Sequence, residues 1–194
     1  MPKFAVLVAD AFQDSEYFLP KVEIEKLGIE TETVSLSENP IEIYSFFKCI
    51  GHLNIDRVID KVNPHDYAGV LVPGGAKSPA ILAEDERILS FLRAMNGAEK
   101  LIAPICRGTL LVATSGVAKG RAITGFHLGS QYPELVVRPI VEKYDGRWQE
   151  DKPVVIDNNL ISSRHPDDIP YFVEAIRSWL ESKSHRQIPR GIGQ

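Results

Sequence analysis

Cysteine is scarce in this chain of 194 residues. The only two, Cys49 and Cys106, lie far apart with no CxxC spacing, which excludes a CxxC redox or metal motif and suits a reducing cytoplasm. HExxH is missing, and no two histidines share ligand spacing on one helix, so no metal is expected. Gly74-Gly75 is too short to be a GxGxxG or Walker loop, so no phosphate-bearing cofactor is expected either. A basic stripe is lacking: the formal charge is -4 and the pI about 5.8, which argues against a nucleic-acid partner. No apolar run is long enough to span a bilayer and no signal peptide is read, so the expected setting is cytoplasmic, away from membranes.

Apolar material is plentiful, at 44% hydrophobic against 25% charged, enough to bury a sizeable core. Runs of strand length alternate with helical periodicity, which predicts an α/β sandwich with a mostly parallel sheet covered on both faces. Strands are expected near 3–9, 30–36, 67–72, 100–105 and 121–124, and helices near 14–27, 79–96 and 107–117. Asp157-Asn158-Asn159 tolerates positive φ between two β-rich runs, so 152–163 reads as a hairpin. Pro166-Asp167-Asp168 suits the first turn of a last helix to about 182. The expectation is one domain over 1–183, with 184–194 a tail that is mobile or docked on a neighbouring subunit.

Chemistry concentrates at three strand ends. Leu101-Ile102-Ala103-Pro104-Ile105 stops at Cys106, followed by Arg107-Gly108 and a helical pattern, the form of a nucleophile elbow. A helix beginning there would turn its free N–H groups toward the sulfur and favour thiolate over thiol. Val70-Leu71-Val72-Pro73-Gly74-Gly75 is a buried strand ending in a turn whose glycines bring a backbone N–H close to a reacting group, where it would pair with the Arg107 N–H as an oxyanion hole. Phe4 to Val8 leads through a short loop to Asp14-Ser15-Glu16, a carboxylate in a helix's first turn. If the three strands are parallel neighbours, their carboxyl ends open on one crevice. Taken singly, Cys106 also reads as an inert buried thiol and Glu16 as a helix-capping acid.

Together, Asp14-Ser15-Glu16, Val72-Pro73-Gly74-Gly75 and Ile105-Cys106-Arg107-Gly108 resemble the ThiJ/PfpI superfamily, related to class I glutamine amidotransferases and here closer to its PfpI-type branch. Gly120 to Thr124, Pro153 to Arg164 and Pro166-Asp167-Asp168 extend the resemblance in the same order over roughly 3–182. It implies a flavodoxin-like fold, a reactive or redox-sensitive Cys106 with Glu16 beside it, and a homodimer or higher homo-oligomer. Many members carry His after the Cys; Arg107 stands here, able to stabilise a thiolate or an anionic substrate but not to act as a base. The Glu that completes the triad of archaeal-type proteases corresponds to about Ala80, which weakens a peptidase reading further.

Glu16, held protonated by burial, is then the acid/base partner. Gly74, Gly75, Phe126 and His127 are assigned to the oxyanion and substrate site, His127 with a solvent-facing alternative. His52, His65 and His185 read as surface residues, His165 as structural and Cys49 as a half-buried packing residue, with a resolving thiol the alternative. Trp148 and Trp179 read as packing. The resemblance implies hydrolase, glyoxalase-like or deglycase-like activity on small carbonyl compounds or protein adducts, linked to stress protection. The rival is a peroxide sensor cycling Cys106 through its oxidised acids.

Overall fold

Strands made of Val, Leu, Ile and Ala have no polar face to show to water, so they must be covered on both sides. The computed structural model describes residues 3–127 and 133–186, the side chains of 184–186 excepted, and this cover is its organising feature. In chain order β1 (Lys3–Leu7) and a short β2 (Phe12–Gln13) precede α1 (Asp14–Lys26). Then come β3 (Glu30–Ser35), β4 (Ile41–Ser45), β5 (Lys48–Leu53), β6 (Arg57–Val58) and β7 (Tyr67–Val72), followed by α2 (Ser78–Ala83) and α3 (Glu86–Gly97). The second half holds β8 (Leu101–Pro104), α4 (Gly108–Thr114), β9 (Ala122–Ile123), α5 (Arg138–Lys143), β10 (Arg147–Trp148), β11 (Val154–Asp157), β12 (Leu160–Ser163) and α6 (Ile169–Arg186).

Seven strands form the central sheet in the order β11-β12-β8-β7-β1-β3-β6. All pairs are parallel except the β11–β12 hairpin. Side chains alternate between two cores, as the period of a strand requires. Ala5, Leu7, Val70, Val72 and Ile102 pack with Ile88, Leu92 and Met95 of α3 and with Leu111 and Val112 of α4. Phe4, Val6, Leu71, Leu101 and Ala103 pack on the other side with Tyr17 and Ile24 of α1 and Phe172 and Ile176 of α6. The result is a flavodoxin-like three-layer sandwich. Because β8, β7 and β1 are adjacent, the segments that leave their carboxyl ends converge.

The structure departs from the sequence expectations at several points. The single helix expected at 79–96 is two, because the Asp85 side chain accepts from the Arg87 N–H at 2.9 Å and starts α3 afresh. The connection before β7 contains the β4–β5 hairpin, antiparallel, with Phe46 at φ 54° in its turn. Cys49 lies on β5 and is exposed, not half-buried. Residues 107–117 hold only the short α4. Pro166–Asp168 make a separate 3-10 turn, and α6 runs on to Arg186. The expectations for 187–194 and for the His185 side chain fall outside the described residues. No described helix is long and apolar enough to cross a membrane.

Packing at the sheet centre leaves no slack at Gly69, where a Cβ would lie 2.3 Å from Phe4 Cε2 and 2.9 Å from Leu101 Cβ. Gly69→Ala should therefore cost about 1–3 kcal/mol of stability by overpacking. Denaturant unfolding measures this, and an unchanged midpoint would contradict the tight β1–β7–β8 packing.

Candidate active site

Cys106 follows β8 with φ 58°, in the left-handed region that a residue with a Cβ seldom adopts. Backbone bonds hold it there: the Cys106 N–H donates to Ser163 O at 2.9 Å, Phe126 N–H to Cys106 O at 3.2 Å, and Gly108 N–H to Ile105 O at 2.9 Å. Gly108 is compelled, since a Cβ on it would come within 2.0 Å of the Val72 carbonyl oxygen. Gly74 is compelled for a second reason: its Cβ would meet Glu16 Oε2 at 2.7 Å, Arg107 N at 2.8 Å and Cys106 Cβ at 3.0 Å. The two glycines thus let the β7 turn and the elbow lie in contact, with Glu16 between them.

Glu16 is 1% exposed, in the first turn of α1. Its Oε2 accepts from the Gly74 N–H at 2.7 Å, and its carboxyl lies beside the Cys106 thiol and interacts with it. Burial pushes the Glu16 pKa up to about 8, against the opposing pull of the Cys106 and Gly74 bonds. Burial also pushes the Cys106 thiol up, and the neighbouring Glu16 adds to it; the Arg107 N–H and charge pull the other way. This corrects the expectation of a resting thiolate: loss of water outweighs the attraction of the short α4 and of Arg107. Burial thus favours the protonated form of both groups, and the two titrate as a coupled pair.

The sulfur faces a cavity of about 210 Å³. Its polar groups are Gln13, Glu16, Cys106 and Arg107. Phe46 and Phe47 from the β4–β5 turn, together with Phe126, Leu135 and Pro166, make the remaining walls largely apolar. Arg107 donates through Nη1 to the carbonyls of Gly75, at 3.1 Å, and Ala76, which ties the Gly-Gly turn to the elbow. Burial lowers its pKa while the charge of Glu134 opposes this.

Of the residues singled out from sequence, Cys106, Glu16, Arg107, Gly75 and Phe126 meet at this cavity. Gly74 stands beside it, but its N–H is engaged by Glu16, so it is not a spare oxyanion donor. His127 is not among the cavity walls; its ring stands against Trp148, 6.5 Å between centroids. His127, Glu150 and Asp151 bring one ligand atom each within 4.8 Å of one another, the spacing of a cation site. Glu150 there already accepts from Arg138 and Trp148. His165 sits within 4 Å of Asp167 and Asp168, at 3.6 and 3.7 Å, in keeping with a structural role. His52 and His65 are exposed.

Several wall residues escaped the sequence reading, among them Gln13, Phe46 and Phe47. Gln13 bonds Asp14 and Ser15 through Nε2 and receives the Phe46 N–H on Oε1 at 3.0 Å, which fastens the hairpin turn over the site. Phe46 and Phe47 lie between two short alternating runs, 41–45 and 48–53, the signal from which a hairpin could have been read.

A cysteine held at positive φ on a βα elbow, with a buried carboxyl beside it in a flavodoxin-like sandwich, defines a class of elbow-cysteine α/β proteins. Within that class the chain belongs to the DJ-1/PfpI family, whose family model matches residues 2–178. It is 34% identical over 179 residues to Protein/nucleic acid deglycase 2 of Escherichia coli strain K12, covering 90% of this chain and 96% of that protein. It is 29% identical over 179 residues to General stress protein 18 of Bacillus subtilis strain 168, covering 92% and 98%. Among solved structures, the ThiJ/PfpI domain protein of Brachyspira murdochii superposes with a TM-score of 0.79 at 22% identity, over 93% of this chain and 96% of that one.

The raised Glu16 pKa has a stability consequence. Between its ordinary 4.5 and about 8 the native state keeps a proton that the unfolded chain has lost. Stability from this group is therefore complete below pH 4.5 and is lost as pH rises through about 8. Urea unfolding from pH 5 to 8.5 should show that decline in the wild type and a flatter profile in Glu16→Gln. Parallel profiles would show that Glu16 is ionised throughout.

Proposed function

We propose that this protein is a cysteine-dependent enzyme, glyoxalase-like or deglycase-like, that acts on small reactive carbonyl compounds or on the adducts they leave on proteins. The observation that carries the reading is the Cys106 thiol beside buried Glu16 at the wall of a cavity. The name and coverage of the deglycase relative, and that of the stress protein, support the substrate class and a link to stress protection.

In this reading the Cys106 sulfur adds to a carbonyl carbon. Loss of one proton from the Cys106–Glu16 pair to solvent leaves the sulfur as nucleophile and Glu16 protonated, and Glu16 donates its remaining proton to the developing oxyanion. The charge on that oxygen is assigned to backbone N–H groups of Gly75 and Arg107, both of which line the cavity. Reactivity should therefore rise with pH through about 8 as the pair ionises. A peptidase triad is less well supported, since Arg107 cannot accept a proton and Ala80 on α2 offers no side-chain chemistry. A peroxide sensor is also less favoured, because facile oxidation needs an accessible low-pKa thiolate, whereas this thiol is 7% exposed with its pKa pushed up.

Turnover of methylglyoxal and release of a hemithioacetal adduct are the direct tests. The wild type should turn over both, and Cys106→Ser should fall to the uncatalysed rate. Glu16→Gln should retain alkylatable Cys106 yet lose the rise of rate with pH. Activity surviving in Cys106→Ser rejects the reading.

A further inference from the structure

Phe46 stands where its own backbone favours a different residue. At the turn of the β4–β5 hairpin it has φ 54°, in the left-handed region where Gly or Asn costs little and an aromatic side chain is strained. Phe46 is 68% exposed and Phe47 beside it 55%, so the turn presents two large apolar side chains to water. Neither local preference nor burial in the core accounts for Phe at 46. Both residues nevertheless line the Cys106 cavity, together with Phe126, Leu135 and Pro166. The turn is also held in place, because buried Gln13 accepts the Phe46 N–H on Oε1 at 3.0 Å and commits its Nε2 to Asp14 and Ser15. A strained, exposed aromatic pinned at the mouth of a site has apolar surface that a ligand can still cover.

We infer that Phe46 and Phe47 are specificity residues and that the cavity selects aryl-substituted 1,2-dicarbonyl compounds, the ring against the phenylalanines and the aldehyde carbon at the Cys106 sulfur. The inference rests on the proposed carbonyl chemistry and narrows its substrate class. Size supports it: the cavity of about 210 Å³ has room for several water molecules, so a three-carbon dicarbonyl would leave much of the apolar wall wet. A ring covers that wall, and aromatic rings gain from edge and offset contacts with one another beyond the area they bury. Charge agrees. Arg107 is committed through Nη1 to the Gly75 and Ala76 carbonyls, so the body beyond the carbonyls is best matched by an uncharged group. Addition needs no co-reactant: the sulfur pair left when the thiol proton departs to solvent forms the C–S bond, the C=O π pair becomes an oxygen lone pair, and Glu16 protonates that oxygen and regains a proton from solvent.

Alkylation reads the walls without turnover. Iodoacetamide and its N-phenyl form, iodoacetanilide, attack a thiol by the same displacement, so their rate ratio at Cys106, followed by peptide mass spectrometry and normalised to glutathione, reports what a ring gains in the cavity. The phenyl reagent should be favoured by about tenfold or more, since a single methylene in an apolar pocket is already worth about that much. Phe46→Asn removes the ring and accepts φ 54°, so it should cut the preference by about threefold or more and leave the urea midpoint unchanged or higher. A Phe46 that served only the fold would do the reverse. The kcat/KM ratio of phenylglyoxal to methylglyoxal, taken from initial rates, should fall in the same variant by a similar factor. Equal normalised labelling rates in the wild type, or a ratio that Phe46→Asn leaves alone, would overturn the aryl selection while leaving the carbonyl reading standing. A phenyl preference at Cys106 without turnover of either dicarbonyl would keep the selection by the walls and reject the carbonyl reading.

Discussion

The contact between two chain reversals is the constraint on which this site rests. The turn leaving β7 and the elbow leaving β8 lie so close that the Val72 carbonyl oxygen occupies the space where a Cβ on Gly108 would be. That approach forces Cys106 into the left-handed region, a strain of about 1–3 kcal/mol. The three backbone bonds around Cys106 oppose it with roughly 1 kcal/mol each, so the conformation is held by its surroundings and not by local preference. The same approach brings Gly74 against Glu16, whose carboxyl would otherwise lack its backbone donor. Without it the sulfur, the acid and the cavity would not share one place.

Electrostatics at the site then follow from which force is largest. A helix N-terminus offers about 0.3–1 kcal/mol to an anion when exposed, and α4 is only a short helix. Removing a carboxylate or thiolate from water costs several times that, so burial decides the resting charge of both groups. One proton more than expected is therefore stored in the pair near neutral pH. Arg107 does not reverse this, because its guanidinium is drawn to the Gly75 and Ala76 carbonyls. Its stronger structural effect is to fasten those residues to the elbow.

The parts of the site legible in the sequence are those set by local backbone demands. An apolar run ending in Cys-Arg-Gly, another ending in Gly-Gly and an acid in a first helical turn each announce a strand end, and parallel pairing of β1, β7 and β8 brings them together. Glu16 was readable as a site residue only through the family resemblance, since taken singly it reads as a helix-capping acid. The walls were not, because Phe46 and Phe47 reach the cavity only through the β4–β5 hairpin and its bond to Gln13, a long-range arrangement with no nearby motif. His127 shows the converse: the family resemblance put it near the site, but its ring stands against Trp148 and not among the cavity walls. The break at Asp85 was visible only as a capping residue inside a run that otherwise keeps helical period.

Having a fixed cation rather than a titratable base beside Cys106 restricts how protons can move. Among the described residues that line the cavity, only Cys106 and Glu16 can release or accept a proton near neutral pH; Gln13 cannot titrate, and Arg107 stays charged. In the proposed carbonyl chemistry, any proton set free must therefore pass through Glu16 or leave with a water molecule. Glu16 is held at one end by the Gly74 N–H, so it has a single direction in which to exchange that proton, toward the sulfur and the ligand above it. Chemistry that needs one proton moved over a short path, such as addition to a carbonyl and its reversal, fits this arrangement. Peptide hydrolysis, which must also protonate a departing amine some distance from the attacking sulfur, calls for a second carrier that the described cavity walls do not provide.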